Sequence, residues 1–151
     1  MPASPGPTSL NLSRVTGPAR GKSGNGRGGG RVNRVELGRL GEQLAADHLE
    51  EQGLVVVARN WRCQNGEIDI VATDGIGTLV VCEVKTRSGI GYGTPAEAVT
   101  LDKRRRLRQL AGLYITSTCR RWPTVRFDVI SVLYRPGGPV GPQITHLTEA
   151  F

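Results

Sequence analysis

Two carboxylates and an ammonium group mark the stretch with the clearest chemical potential. They lie in Gly66-Glu67-Ile68-Asp69-Ile70 and Cys82-Glu83-Val84-Lys85-Thr86-Arg87. On an extended strand, side chains two apart share a face. Glu67 and Asp69 therefore project together, as do Glu83 and Lys85, while Ile68, Ile70, Cys82 and Val84 point into apolar packing. A turn at 74–77 lays the two strands side by side, so Asp69 and Glu83 can converge with Lys85 beside them. Hard oxygen ligands of this kind hold Mg²⁺, which retains waters and binds phosphate oxygens. A compact ammonium suits the charge that develops on phosphorus better than a planar guanidinium does. The chain has 17 Arg and only 3 Lys, yet one of those lysines stands two residues after Glu83. The competing reading is a cross-strand salt bridge on a solvated face, worth ~0–1 kcal/mol.

The elements that must position these groups are legible from periodicity and caps. Asn33 followed by Glu36 resembles a capping box. Leu37, Leu40, Gly41, Leu44, Ala45 and His48 then form one helical face, and Gly53 ends the helix. Leu54–Trp61 is a β-branched run, Gln64-Asn65-Gly66 a hairpin turn, and Glu67–Thr73 and Thr78–Thr86 are strands of a meander. Ser88–Gly93 reads as a glycine loop, and Thr94-Pro95-Ala96-Glu97 as a second capping box. Thr100–Thr118 is a helix with Leu107, Leu110, Ala111, Tyr114 and Ile115 inward. Val125–Tyr134 is a fourth strand, Gly137–Pro142 a turn, and Gln143–Leu147 a short edge strand. The order α-β-β-β-α-β(-β) predicts an α/β domain with a mixed sheet flanked by helices.

Charge divides the chain. Residues 1–35 carry six basic groups, no acid, eight Gly and four Pro, whereas residues 36–151 are nearly neutral. The first stretch is expected to be a disordered basic tail and residues 36–151 the folded, nuclease-like domain. Such a tail suits a polyanion partner or is a solvated arm. Gly17–Ser23 and Gly24–Gly29 imitate phosphate-binding loops, but neither follows a strand. The chain has no apolar run of membrane-spanning length and no secretory h-region. Cysteines at 63, 82 and 119 make no CxxC pair, so a disulfide framework is not expected and the cytoplasm is the expected compartment.

Residues 38–134 resemble the YraN-like family of bacterial proteins, which have a restriction-endonuclease-like fold related to Holliday-junction resolvases. The resemblance rests on Gly38-Arg-Leu-Gly41-Glu42, Asn60-Trp61-Arg62, Gly66-Glu67-Ile68-Asp69, Glu83-Val84-Lys85-Thr86-Arg87 and Phe127-Asp128-Val129. In the superfamily pattern a proline often precedes the first acid; Ile68 stands there in this chain. The resemblance implies that Asp69 and Glu83 are metal ligands, with the Val84 carbonyl as a third. It makes Lys85 the catalytic lysine and matches Glu42 to an acid of the resolvase-like branch. It implies a Mg²⁺-dependent endonuclease, with Mn²⁺ able to substitute, acting on DNA rather than RNA, and a homodimer by analogy with junction resolvases.

Basic residues around this stretch are candidate phosphate contacts. Arg87 follows Lys85, Lys103 and Arg104 flank the apolar face of the second helix, and Arg105 and Arg106 point to solvent. Tyr92 in the glycine loop is positioned to stack on a base or anchor the loop. Glu67 orients a ligand or pairs with Arg62, and Asp128 is expected in a structural salt bridge. Trp61 and Trp122 read as packing residues. The alternative function is a non-catalytic nucleic-acid-binding module on the same fold.

Overall fold

The computed structural model of the protein describes residues 33–89, 99–135 and 141–151. The expectations for the tail up to residue 32, for Tyr92 and the 94–97 cap, and for most of the turn at 137–142 lie outside the described residues.

Helix α1 spans Arg34–Glu51, capped by the Asn33 side chain, which accepts from the Val35 N–H. Residues 33–35 thus cap and open this helix. Strands β1 (Val55–Cys63), β2 (Gly66–Thr73) and β3 (Thr78–Arg87) follow as an antiparallel meander. Helix α2 (Leu101–Thr118) crosses over to β4 (Thr124–Leu133), which lies parallel to β3, and β5 (Gln143–Leu147) closes the far edge antiparallel. The result is a five-stranded mixed sheet in the order β1-β2-β3-β4-β5, as the element order predicts.

Each face of the sheet buries its own apolar layer. Ala45, Ala46 and Leu49 of α1 pack on Ile70, Ala72, Val80, Cys82, Val84, Ile130 and Val132. Leu107, Leu110, Ala111 and Tyr114 of α2 pack on Val71, Leu79, Val81 and Val129 of the opposite face. Ile68 joins the α2 layer although Ile70, two residues on, faces α1. The reversal follows from irregularities in β1, a bulge at Val57 and a left-handed Asn60 (φ 49°), which coil the β1–β2 hairpin.

The buried stripe of α1 is rotated from the expected one. Leu40 is exposed, while Gly41, Ala45, Ala46 and Leu49 are buried. The cause is a close approach: a Cβ on Gly41 would lie 1.8 Å from Thr86 Oγ1 at the end of β3. Only glycine admits that contact, and it turns the Gly38–Glu42 edge of the helix toward the sheet end. At the opposite end of β2, Asp74 Oδ1 accepts from the N–H groups of Ile76, Gly77 and Thr78 at 2.9–3.0 Å. Hydrogen bonds from Thr78, then from Ile76 and Gly77, hold its carboxyl at about 2. This turn fixes the register in which β2 meets β3.

A candidate active site at a fork in the sheet

The β2–β3 ladder runs from Thr73–Leu79 to Ile70–Cys82 and stops there. Beyond it β2 stays paired with β1 as far as Gly66–Cys63, and β3 stays paired with β4 as far as Arg87–Leu133. The sheet therefore forks at the step where Asp69 would face Glu83. Asp69 fills the opening: its Oδ2 accepts the Val84 N–H at 2.8 Å, in place of the lost strand partner. In an extended strand the N–H and C=O of one residue point to the same edge, so the Val84 carbonyl faces this opening too.

Glu83 is 2% exposed and faces the α2 side. Its Oε1 accepts from Lys85 Nζ at 2.6 Å, and its Oε2 lies 3.0 Å from Lys103 Nζ. The second contact is an ion pair without hydrogen-bond alignment, and Oε2 has no hydrogen-bond partner among the described residues. Two cations around one buried carboxylate compensate a desolvation that one surface-type pair would not. Asp69 is in the opposite electrostatic situation. Burial, then the neighbouring Glu83 charge, push its carboxyl up to about 6, against the lowering pull of the Val84 N–H and Lys103.

The opening leads into a cleft of about 590 Å³. Asp69, Val84, Lys85 and Arg87 line it from the sheet, and Arg34, Gly38 and Glu42 line it from α1. Asn60 Nδ2 donates to Glu42 Oε2 at 2.8 Å, tying the helix to the coiled hairpin. Asp69, Lys85, Glu42, Val84 and Arg87 are thus brought to one cleft, and Glu83, buried behind it on the α2 side, is joined to it through Lys85 and is reached from behind by Lys103.

Arg104 is not brought there. Its Nε donates to the Val99 carbonyl at 3.1 Å and its guanidinium lies 5.4 Å from the Phe151 ring centre. Arg106 departs from its expected solvent position, because its Nε donates to the Asn65 carbonyl of the β1–β2 turn at 2.9 Å. Glu67 does not share the face of Asp69 as strict alternation predicts, because the strand reverses between Ile68 and Ile70; it pairs with Arg62 at 3.0 Å and lines a separate cleft with Lys103 and Arg106. Asp128 is fully buried and bound by Arg126 and His146. Trp61 packs edge-on against Tyr114. All three cysteines are free thiols.

Sequence reasoning assigned no role to Asn60. The available signal was an asparagine inside a β-branched run, since Asn tolerates left-handed backbone better than any residue but glycine.

Asp69, Glu83 and the Val84 carbonyl offer only oxygen, the hard donor that Mg²⁺ and Mn²⁺ prefer. No group of three His, Cys, Asp or Glu side chains suited to hold a metal ion occurs among the described residues. A cation here would take Asp69, the Val84 carbonyl and oxygens from solvent or substrate, with Glu83 joining only by exchanging a lysine for it, the partial protein shell typical of Mg²⁺. The donor set fits a hard divalent cation. Among the described residues no helix is long and apolar enough to cross a membrane.

Residues 41–132 match the family described as "Uncharacterised protein family UPF0102". A UPF0102 protein of Mycobacterium ulcerans is 53% identical over 117 residues, 77% of this chain and 94% of the relative. One from Acidothermus cellulolyticus is 49% identical over 128 residues, covering 78% and 95%. One from Nocardia farcinica is 52% identical over 115 residues, covering 76% and 88%. With the match spanning both the forked strands and the glycine contact that turns Glu42 toward them, the chain belongs to UPF0102, the YraN-like family.

Proposed function

We propose that this chain is a divalent-metal-dependent nuclease that hydrolyses phosphodiester bonds of DNA, branched or otherwise structured. The supporting observation is the fork itself: Asp69, Glu83 and Lys85 meet where the sheet opens into a cleft. Asp69, Glu83 and the Val84 carbonyl would hold Mg²⁺, with Mn²⁺ able to replace it. When bound, the cation supplies charge stabilisation at the phosphoryl oxygens and lowers the pKa of a coordinated water.

The chain's own residues do the rest. Lys85 spends one donor on Glu83 and is one-third exposed, so its remaining N–H donors serve an anionic phosphate oxygen in the cleft. Glu83, charged and immobile, fixes where that ammonium sits. Glu42, tethered by Asn60, accepts a hydrogen bond from the attacking water and orients it in line with the leaving oxygen. Arg87 grips a phosphate at the cleft mouth. DNA is preferred over RNA on the strength of the likeness to junction resolvases. The same analogy supports a homodimer, since a four-way junction offers two symmetric cuts, and the three unpaired cysteines favour the cytoplasm.

The test is cleavage of a labelled panel (linear duplex, single strand, flap, four-way junction, RNA) with Mg²⁺, Mn²⁺ or EDTA, comparing the wild type with Lys85→Ala. Metal-dependent cleavage that Lys85→Ala reduces at least about a hundredfold is expected. Cleavage at an equal rate by the variant would overturn the assignment.

A second reading, a non-catalytic nucleic-acid-binding module, is favoured by one observation: both Glu83 oxygens already face lysines. Salt-dependent binding to the panel without turnover in any metal would select it.

A further inference from the structure

We propose a second anion site, on the α2 side of the fork, that holds a non-scissile phosphate of the same nucleic-acid strand. It rests on the nucleic-acid part of the reading above and not on catalysis. The site is a cleft of about 480 Å³ lined by Arg62, Cys63, Gly66, Glu67, Lys103 and Arg106. Three cations and one carboxylate line it, and that carboxylate, Glu67, is already paired with Arg62.

The cleft is built rather than incidental. Arg106 is laid across the β1–β2 turn by its bond to the Asn65 carbonyl. It packs there against the bare backbone of residue 66, where a side chain would make the guanidinium shift. A Cβ on Gly66 would come within 2.8–3.1 Å of the guanidinium, and Gly66 adopts φ +138°. One edge of the guanidinium is thereby anchored, leaving its other donors for a ligand in the cleft. A pre-placed planar fork of this kind suits phosphate oxygens.

Glu83 joins the two clefts. Its Oε1 takes Lys85, which lines the first, and its Oε2 faces Lys103, which lines the second. Two cationic clefts on either side of one buried carboxylate fit a polymer with repeated phosphates. A lone phosphate ion would satisfy one cleft only.

The experiment measures binding of a labelled DNA duplex and four-way junction to the full chain in EDTA, across a salt series, by fluorescence anisotropy. Wild type is compared with Arg62→Ala, Arg106→Ala, the double variant and Arg105→Ala. Arg105 lies on the outer face of α2, with its side chain 81% exposed, and is a charge-matched control. The double variant should weaken binding at least tenfold and reduce the log–log salt slope by about two, roughly one per lost contact. Arg105→Ala should change the slope by clearly less. Wild-type affinity and slope in the double variant would overturn the proposal, as would equal losses in Arg105→Ala and Arg106→Ala. Circular dichroism melts confirm that each variant is folded, and Arg62→Gln with Arg106→Gln serves if an alanine variant is not. A wild type that binds DNA but never cleaves it defeats the nuclease reading and leaves this site standing. Cleavage with a KM unmoved by the double variant does the reverse.

Discussion

Asn60 donates to Glu42 at 2.8 Å from a backbone that is itself left-handed, at φ 49°. It lies between the Arg59–Ile70 and Trp61–Ile68 pairs, opposite Asp69. One residue thus coils the hairpin past the fork and ties α1 to it. The two roles separate by substitution. Asn60→Gly relaxes the backbone but loses the bond, and Asn60→Ala loses the bond and keeps the strain. Stability of Asn60→Gly should stay within about 1 kcal/mol of wild type, with Asn60→Ala lower by a further ~1 kcal/mol. Both should lose cleavage rate equally, because both release Glu42. Urea melts and single-turnover rates check this, and a glycine variant at full rate would dissociate Asn60 from the site.

Gly41 packs so closely on Thr86 that a Cβ there would lie 1.8 Å from Thr86 Oγ1. Gly41→Ala must push the helix away or force Thr86 out of place, at a cost of about 1–3 kcal/mol. Thr86→Ala removes the nearest atom and should return part of that loss in the double variant. The readout is the coupling term of the double-mutant cycle. Strict additivity would mean that the helix accommodates a methyl by sliding.

Glu83 tests how a buried charge is compensated. Removing Lys85 leaves Lys103 within 3.0 Å, so Lys85→Ala should fold and lose at most about 1–2 kcal/mol. Removing both lysines strands a carboxylate that is 2% exposed and should cost about 3–5 kcal/mol. Glu83→Gln in the double-lysine background should restore most of it. Denaturant unfolding of the wild type, the two single lysine variants, the double and the triple variant decides the matter. A double variant no worse than the sum of the singles would show that Glu83 is rehydrated on their loss.

The elements and the shared face of Glu83 and Lys85 are legible in the sequence because both follow from short-range rules, whereas the shared face expected for Glu67 and Asp69 is not kept. Alternation placed Glu83 and Lys85 on one face, and the Asp74 turn set β2 beside β3. What it did not carry depends on three-dimensional closeness. The rotation of α1 comes from the Gly41–Thr86 contact, across 45 residues of chain. The Lys103–Glu83 pair and the Arg106–Asn65 bond join α2 to the sheet through packing that no local pattern encodes. Periodicity gave Arg106 to solvent because it reads a helix face, not what stands beside it. The fork is invisible to the sequence pattern, which reads on as a regular strand through Asp69 although Ile68 and Ile70 face opposite layers and the β2–β3 hydrogen bonds stop.

Two aspartates, half-buried Asp69 and fully buried Asp128, should give opposite pH signatures. Burial and the Glu83 charge raise Asp69 from 3.8 to about 6, so between those values the folded state binds the extra proton. Stability from this group therefore falls as pH rises from about 4 to about 6 and stays at the lower level above. Asp69→Asn removes the penalty and can still accept the Val84 N–H. It should be more stable than wild type near pH 7, by about 1–3 kcal/mol, with the gain gone near pH 4. Asp128 behaves in the reverse sense. Burial alone would raise its carboxyl, but bonds from His146, Arg126 and the Glu149 N–H together hold it below 3.8. Its contribution is present above the ordinary carboxylate range and is lost as pH falls through the lowered value. Asp128→Asn should therefore be destabilised near pH 7, by about 3 kcal/mol, because Arg126 loses its buried partner. The deficit should shrink on strong acidification. Thermal melts of the three proteins from about pH 3 to about pH 8 separate the two effects. An Asp69→Asn variant no more stable than wild type at neutral pH would mean that the fork already relieves its carboxylate by other means.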